Sequence, residues 1–354
     1  MDRDTLMRRI REGEVIHRED LSGMDLTGAD LSGGLFDEVS LVNARLDGAR
    51  LEESVLTRCD LTGATLPRAN LRHAMLDTCS LPGVPLSDAD LTDAKFHRVA
   101  LGGADLSRAA LGIAAFHECD LRSVRMDGCA MDRTALVNSV TEGISLAGAA
   151  MSQVTFAGAD LRGAALSGAK LSLCVLLQCN LAGASLRGMD LTRTQMMGAD
   201  LTGADLTGAT LTGCNFKDAV LLRAVLDGAS LANAMFLGAK LGEASLVRAT
   251  IPQGLFVGAD VSRAIFVGAT IPQGVFTRAT CVAARFNECA LAEADFSHAD
   301  LSAADFTGAN LFRARLHGAK DLGARFTNRA VALGDDPDLV EAEGWYDRHG
   351  RDTR

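Results

Sequence analysis

Residues Ala199 to Gly213 read A-D-L-T-G-A-D-L-T-G-A-T-L-T-G, so a leucine recurs at every fifth position. This spacing extends from Leu21 to Leu316, where 58 of 60 such positions carry a large apolar residue and only Thr141 and Cys281 depart. The residue two positions before each large apolar one, from position 24 to position 314, is small in 56 of 59 cases. Neither a helix nor a flat strand has a period of five. Each pentad is therefore predicted to bury one large and one small side chain.

A second period of twenty residues sets the size of one coil. The sequence Ile251-Pro-Gln-Gly254 recurs as Ile271-Pro-Gln-Gly274. Nine phenylalanines share one register modulo twenty, namely Phe36, Phe96, Phe116, Phe156, Phe216, Phe236, Phe256, Phe276 and Phe296. Four more share the register ten residues away, namely Phe266, Phe286, Phe306 and Phe326. Four pentads are thus predicted to make one square coil, and sixty pentads make fifteen coils stacked about 4.8 Å apart.

The residues between the buried positions indicate how each coil turns its corners. Glycine is common two residues after the large one, as at Gly23, Gly63 and Gly203, which predicts a tight turn with positive φ. Aspartate often precedes the large residue, as at Asp25 and Asp200. The Gly-rich nonapeptide spacing of calcium-binding β-helices is absent, so these carboxylates are expected to accept hydrogen bonds from the nearby backbone.

The pentads resemble the pentapeptide-repeat family, whose pattern is A(D/N)LXX, over most of the chain. The resemblance implies a right-handed quadrilateral β-helix and no enzymatic activity. The predicted fold is an all-β solenoid of about 15 coils with short helical caps at both ends. Residues 1–18 are predicted to form the N-terminal helical cap, 19–326 the repeat β-helix, and 327–354 a C-terminal helix or cap and tail.

The two ends are expected to cover the apolar cross-sections of the solenoid. An N-terminal helix with Leu6, Met7 and Ile10 on one side is predicted to be capped by Asp4 or Thr5. Asp336-Pro337 predicts the start of a C-terminal helix. The family resemblance implies that such C-terminal helices commonly mediate dimerisation. The C-terminal helix is therefore expected to be either an end cap or a homodimer contact. The candidate residues for either role are Phe312, Leu339, Trp345 and Tyr346.

The charge pattern argues against nucleic-acid binding. The formal net charge is −10, and residues 21–168 contain 19 acidic and 12 basic residues, whereas residues 169–316 contain 12 of each. Acids and bases alternate, so no basic face is expected. The N-terminus is too charged for a signal peptide, and no apolar run approaches the roughly 18 residues of a membrane span. A cytoplasmic protein is expected.

Catalytic, metal-binding and cofactor-binding motifs are not recognisable. Eight cysteines occupy the small buried position and Cys281 the large one, which favours reduced core packing over disulfides or metal ligation. Five histidines fall at outward positions and are expected to be solvated, namely His73, His97, His117, His298 and His317. Neither a zinc spacing, a phosphate-binding loop nor a nucleophile elbow occurs. The chain is therefore not expected to be an enzyme.

One face of the predicted coil breaks the polar outward pattern. Its apolar outward residues are Val137, Val175, Leu177, Met197, Met235, Leu237, Leu255, Val257 and Val275. A contiguous exposed apolar patch usually marks an interface, which predicts a partner or self-association surface. The alternative is that these aliphatic residues are merely tolerated in strands.

Two functions of different classes follow. The first is a non-enzymatic protein-binding scaffold or adaptor. Glu12 to Gly33 and Ala309 to Ala319 resemble pentapeptide-repeat proteins associated with bacterial type VI secretion, which implies a secretion spike or its effector as the protein partner. The alternative is mimicry of DNA towards gyrase or topoisomerase, which gives quinolone or toxin protection in some family members. That role requires a dense acidic surface, whereas the repeat region here has interspersed bases.

Overall fold

The computed structural model describes residues 1–349, and the side chains of residues 1–344. The chain divides into two compact units. The first comprises Met1–Ala184 and Met189–Gln195, and the second comprises Ser185–Gly188 and the chain from Met196 onward. Each unit is a parallel β-solenoid of stacked coils, which confirms the predicted fold class. The side chains of Trp345 and Tyr346, predicted as end-cap or dimer residues, lie outside the described residues.

Helix α1, Arg3–Arg11, packs on the first coil through Leu6 and Ile10, which are both buried. Its N-cap is Asp2, whose carboxylate accepts a hydrogen bond from the backbone N–H of Thr5 at 2.8 Å. The predicted caps, Asp4 or Thr5, are therefore wrong. The helix begins earlier than expected, so Asp4 lies in the first turn, where the positive end of the helix dipole favours a carboxylate.

The first unit contains twelve short strands. They are β1 (Val15–His17), β2 (Leu35–Asp37), β3 (Val55–Thr57), β4 (Met75–Asp77), β5 (Lys95–His97), β6 (Ala115–His117), β7 (Ala130–Asp132), β8 (Ala135–Val137), β9 (Ala150–Ser152), β10 (Thr155–Ala157), β11 (Lys170–Ser172) and β12 (Val175–Leu177). Strands β7, β9 and β11 form one parallel sheet, and the other nine form a second. Strand β1 precedes residue 19, so strand pairing extends into the segment expected to be a cap.

The second unit has fewer regular elements. Its strands are β13 (Asp305–Phe306) and β14 (Arg325–Phe326), followed by a 3-10 helix (Arg329–Val331) and helix α2 (Pro337–His349). Elsewhere in this unit, neighbouring coils are joined by single parallel bridges, such as Leu255 to Val275. Strand and bridge partners in both units lie twenty residues apart through the regular coils, as Val15 and Leu35 do. This register confirms four pentads per coil.

The core of the second unit contains two stacks of phenylalanine rings. In the first stack, Phe216, Phe236, Phe256, Phe276 and Phe296 lie 4.5 to 4.9 Å apart between ring centroids. The second stack consists of Phe266, Phe286, Phe306 and Phe326, with centroids 4.8 to 5.0 Å apart. Rings of the two stacks meet edge to face, as Phe276 and Phe286 do at 5.6 Å. The two phenylalanine registers of the sequence thus face each other across one core.

The corner position two residues after each large residue has positive φ, as the glycine pattern predicts. Glycine is not required there, because 36 described non-glycine residues share this conformation, compared with 27 glycines. Ile113 and Leu173 are among them, although bulky side chains rarely adopt it. The coil geometry therefore imposes the left-handed corner on most residue types.

Candidate interaction surface

The second unit presents a column of apolar side chains on adjacent coils. Met235 bridges Leu255, and Leu255 bridges Val275, so these three outward residues are direct neighbours. Leu237 and Val257 lie beside them, one residue beyond the buried Phe236 and Phe256. All are half-buried except Val257, which is 36% exposed. The structure therefore brings five of the predicted surface residues together.

The ends of this column are polar. Asn215 precedes Met235 in the bridge series, and Asp295 follows Val275. Met197 lies apart, because Lys217 occupies the coil between Met197 and Leu237. The predicted continuous stripe is thus interrupted, and its compact part in this unit is the set Met235, Leu237, Leu255, Val257 and Val275, called the apolar column below.

The remaining predicted residues lie in the first unit and are spread more thinly. Val137 on β8 and Leu177 on β12 are separated by Ala157 of β10. Val175 on β12 lies opposite Thr155, a polar residue. Leu177 is exposed, whereas Val137 and Val175 are half-buried. These three residues do not form a continuous apolar column.

A further apolar row on the first unit was missed in the sequence. Val15, Leu35, Val55 and Met75 are paired in sequence across β1 to β4. Val15 is 51% exposed and Met75 is 45% exposed, more than any residue of the apolar column. The four residues have the same position in the twenty-residue period as Leu255. Comparing residues twenty apart in the sequence could therefore have found this row.

Among residues 1–344, large apolar side chains are more exposed at the C-terminal end than at the N-terminal end. Phe312 is 56% exposed and Leu322 is 84% exposed. Leu339 on α2 is half exposed, whereas Leu6 on α1 is fully buried. Helix α2 thus leaves apolar side chains of this end accessible, including the predicted candidates Phe312 and Leu339.

Opposite charges pair between neighbouring coils of the first unit. Arg108 donates two hydrogen bonds to the Asp88 carboxylate at 2.7 and 2.8 Å, and Arg18 contacts Glu38 at 2.7 Å. The Arg108 guanidinium holds the pKa of the Asp88 carboxyl below its usual value. Exposed pairs of this kind contribute little to stability, because water and salt screen the attraction. Their main consequence is that part of the acidic surface is neutralised locally.

The aspartates before the large residues accept hydrogen bonds from the backbone, as predicted. Asp25 accepts the N–H of Thr27 at 3.0 Å, and Asp300 accepts that of Ser302 at 3.0 Å. Hydrogen bonds from the hydroxyls of Thr27 and Ser302, together with these backbone bonds, lower the pKa of both carboxyls. The carboxylates therefore stabilise turns of the coil.

All nine cysteines are buried and free. Several of their thiols contact backbone carbonyls of the neighbouring coil, as Cys129 does with Leu106 O at 3.0 Å. Burial raises the pKa of Cys129 to about 12 and that of Cys119 to about 11. The expectation of reduced thiols packed in the core agrees with this arrangement.

Two described clusters of histidine and glutamate place side-chain nitrogen and oxygen atoms within 4.8 Å of one another. The first is His97, His117 and Glu118, and the second is His298, His317 and Glu343. The expectation of solvated histidines is wrong for His317, whose side chain is 7% exposed. Helix α2 was not expected to pack beside this residue, but its Glu343 lies within 3.4 Å of the His317 Nε2 atom.

A groove of about 530 Å³ on the second unit is lined by Leu222, Arg223, Gly242, Glu243, Ser262, Arg263 and Val282. Its lining contains no histidine or cysteine, and its one carboxylate, that of Glu243, pairs with the Arg263 guanidinium at 3.3 Å. No helix of the described residues is long and apolar enough to cross a membrane.

Family models of five-residue repeats match much of this chain. A model of a pentapeptide repeat region matches residues 20–106. A model of eight pentapeptide repeats matches residues 142–178, 174–213, 211–248 and 279–318. Together these segments cover more than half of the chain. No curated protein sequence matches it.

Solved structures match the chain at low sequence identity. A trypsin-treated variant of QnrB1, a plasmid-mediated fluoroquinolone resistance protein, is 16% identical, with a TM-score of 0.29 over 55% of this chain and 89% of that one. HetL, a pentapeptide repeat protein involved in heterocyst differentiation regulation in the cyanobacterium Nostoc sp. strain PCC 7120, is 20% identical. Its TM-score is 0.20 over 95% of this chain and 94% of that one.

Proposed function

Because this chain belongs to the pentapeptide-repeat family, we propose that it is a non-enzymatic scaffold that binds a protein partner through its apolar column. The observation that carries the proposal is the direct succession of Met235, Leu255 and Val275 on adjacent coils. Burial of such side chains favours association. The stacked phenylalanines behind them fix the backbone of these coils. The apolar column therefore loses little conformational entropy when a partner binds.

The partner that fits this surface has an apolar strip with polar edges. Asn215 and Asp295 bound the apolar column, so its rim is polar. The resemblance of residues 12–33 and 309–319 to type VI secretion-associated proteins supports a finer proposal. The partner is a component of the secretion spike or its effector, bound in the cytoplasm before export.

Copurification from the native host tests the proposal. In the Met235→Asp/Leu255→Asp/Val275→Asp variant, three charges enter the apolar column. The fold is expected to tolerate them, because Asp295 already occupies the next position of the same bridge series. The matched control is Ser230→Asp/Thr250→Asp/Thr270→Asp, which places three charges on the same coils but on another face.

We expect a spike or effector protein, identified by mass spectrometry, to copurify with the wild type and the control and to be lost with the column variant. Retention of the same partner by the column variant would refute the proposed surface. Circular dichroism of each variant verifies that the coil is intact.

Mimicry of DNA towards gyrase is less well supported by the surface charges. Arginines such as Arg18 and Arg108 pair with the carboxylates of neighbouring coils, and residues 169–316 contain equal numbers of acids and bases. A mimic of duplex DNA requires a dense surface of one sign. Gyrase subunits that copurify with the column variant and dissociate in salt would favour this alternative.

We also propose that the C-terminal end is a homodimer contact. Phe312 and Leu322 are the most exposed large apolar residues of the regular coils. The Phe312→Asp/Leu322→Asp variant is expected to be monomeric in light scattering, whereas the wild type is dimeric. Leu222→Asp is the control, since Leu222 has the same position in its pentad as Leu322 but lies five coils away. A monomeric wild type, or a dimer that survives both charges, would contradict this proposal.

A further inference from the structure

We propose that His298, His317 and Glu343 form a binding site for a divalent transition-metal ion, with Zn²⁺ the best match to the donor set. The solenoid provides both histidines, and helix α2 provides the glutamate. This inference rests on the geometry of the cluster and is independent of the partner surface.

The three donor atoms converge on a small volume. The Nε2 atom of His298 lies 3.1 Å from Oε1 of Glu343, and Nε2 of His317 lies 3.4 Å from the same oxygen. In a tetrahedral zinc site with bonds of about 2.0–2.1 Å, neighbouring donor atoms lie about 3.3 Å apart. The two histidine–glutamate separations therefore match those of neighbouring donors around one ion, and all three donor atoms lie within 4.8 Å of one another.

The repeat positions the two histidines for this role. Backbone N–H of His298 donates to the carbonyl of His317 at 2.8 Å, so the two residues lie on neighbouring coils. Their rings are nearly perpendicular, with centroids 5.2 Å apart. Gly318 leaves room for the His298 ring, because a Cβ atom there would lie 2.5 Å from its Nδ1. The corner glycine thus allows His298 to turn towards α2.

The surroundings of His317 supply a second carboxylate. Its Nδ1 accepts the backbone N–H of Asp336 at 3.2 Å, so in the metal-free chain the ring proton lies on Nε2 and points at Glu343. With an ion bound, Nε2 would supply its lone pair to the metal, and the ring proton would lie on Nδ1 instead. Nδ1 could then no longer accept the Asp336 N–H. It would face Asp335 Oδ1, 3.8 Å away, as metal-bound histidines commonly face a carboxylate.

The other histidine cluster differs in the partners of its members. His97 Nδ1 contacts Asp77 at 2.6 Å, and Arg98 donates to Glu118 at 3.0 Å. The arginine neutralises the carboxylate that would have to bind the ion. Glu343, by contrast, has both of its described ion pairs with histidines. The first cluster is therefore an internal control.

A bound ion would link α2 to the last coils, because its ligands come from both. Glu343 is half exposed and His298 is partly exposed, so the fourth coordination position faces solvent and can hold water or a group from another molecule. The site is thus positioned to set the orientation of the helix next to the exposed C-terminal end.

Titration of the full-length, chelator-treated chain with Co²⁺ tests the proposal, because tetrahedral Co²⁺ has characteristic visible absorption. We expect one equivalent to give this absorption in the wild type and in His97→Ala/His117→Ala. The absorption should be lost in Glu343→Gln and in His298→Ala. Gly318→Ala and Asp335→Asn, which keep all three donors, should weaken binding by about tenfold or more. Excess Zn²⁺ should displace Co²⁺.

Unchanged absorption in Glu343→Gln, or its absence from the wild type, would overturn the proposal. So would its loss in His97→Ala/His117→Ala with retention in His298→Ala. Thermal unfolding of the metal-free chains provides the fold control. Glu343→Gln changes an exposed helix position and should unfold at the same temperature as the wild type without metal.

Discussion

Phe256 lies flat against Phe276, with ring centroids 4.5 Å apart and ring planes within 1° of parallel, although twenty residues separate them in the chain. Phe266 meets both rings edge to face at 6.0 and 6.1 Å. The strict register produces this packing, because each coil places its side chains directly above those of the coil before. The same register places Leu255 next to Val275 on the outer surface.

Removal of one ring from this stack should strongly destabilise the second unit. Phe256 is fully buried, so Phe256→Ala leaves a cavity and is expected to cost about 3–5 kcal/mol in the free energy of unfolding. Phe312→Ala removes an equal side chain that is 56% exposed and should change stability by about 0.5 kcal/mol or less. Guanidinium unfolding of both variants measures the difference, and equal effects would contradict the assigned core.

Acid should destabilise the coil through its turn aspartates. Hydrogen bonds from Thr307 and Asn287 lower the pKa of Asp305 from 3.8 to about 2. A carboxyl whose pKa is lower in the folded state contributes stability above pH about 4, and this contribution is lost as the pH falls towards about 2. Melting temperatures between these values should therefore fall less steeply for Asp305→Asn than for the wild type.

Thr307→Val provides the matched control for this pH dependence. It keeps the carboxylate but removes the hydroxyl donor 2.6 Å from Asp305 Oδ1. An intermediate slope is expected because the backbone N–H of Thr307 still donates at 2.9 Å. Identical slopes for the wild type and Asp305→Asn would show that this carboxylate does not contribute.

The cysteines should be inert in the native chain. The thiolate is the reactive form, and burial raises the pKa of Cys119 to about 11 and of Cys129 to about 12. Because all nine cysteines are also buried from the reagent, a thiol reagent at mildly alkaline pH should label the folded protein negligibly and all nine cysteines after denaturation. Rapid labelling of the native chain would reveal a thiol outside the core.

The repeat made much of the fold predictable from the sequence. The five-residue period predicts that Phe256 is buried and Leu255 faces outward, because in a coil the direction of a side chain depends on its place in the pentad. The same reasoning could have found Val15, Leu35 and Met75. The five-residue period does not predict how exposed an outward residue is. Whether outward apolar residues form a continuous row depends on the residues between them, such as Lys217 and Ala157.

Contacts outside the repeat were not predictable in this way. His317 and Glu343 are 26 residues apart, and their contact depends on how α2 packs against the coil, which no period encodes. The N-cap was predicted at Asp4 or Thr5, whereas the observed cap, Asp2, is a residue of the same cap-favouring type two positions earlier. Only the folded position of the helix distinguishes them.

Photo-crosslinking in the native host tests the scaffold account most directly. A photoreactive amino acid would replace Leu255 in the apolar column in one strain and Thr250, an outward residue of the same coil on another face, in a second. The account predicts an adduct with one defined protein from position 255 and none from position 250. The same adducts from both positions, or an adduct from position 250 alone, would contradict it.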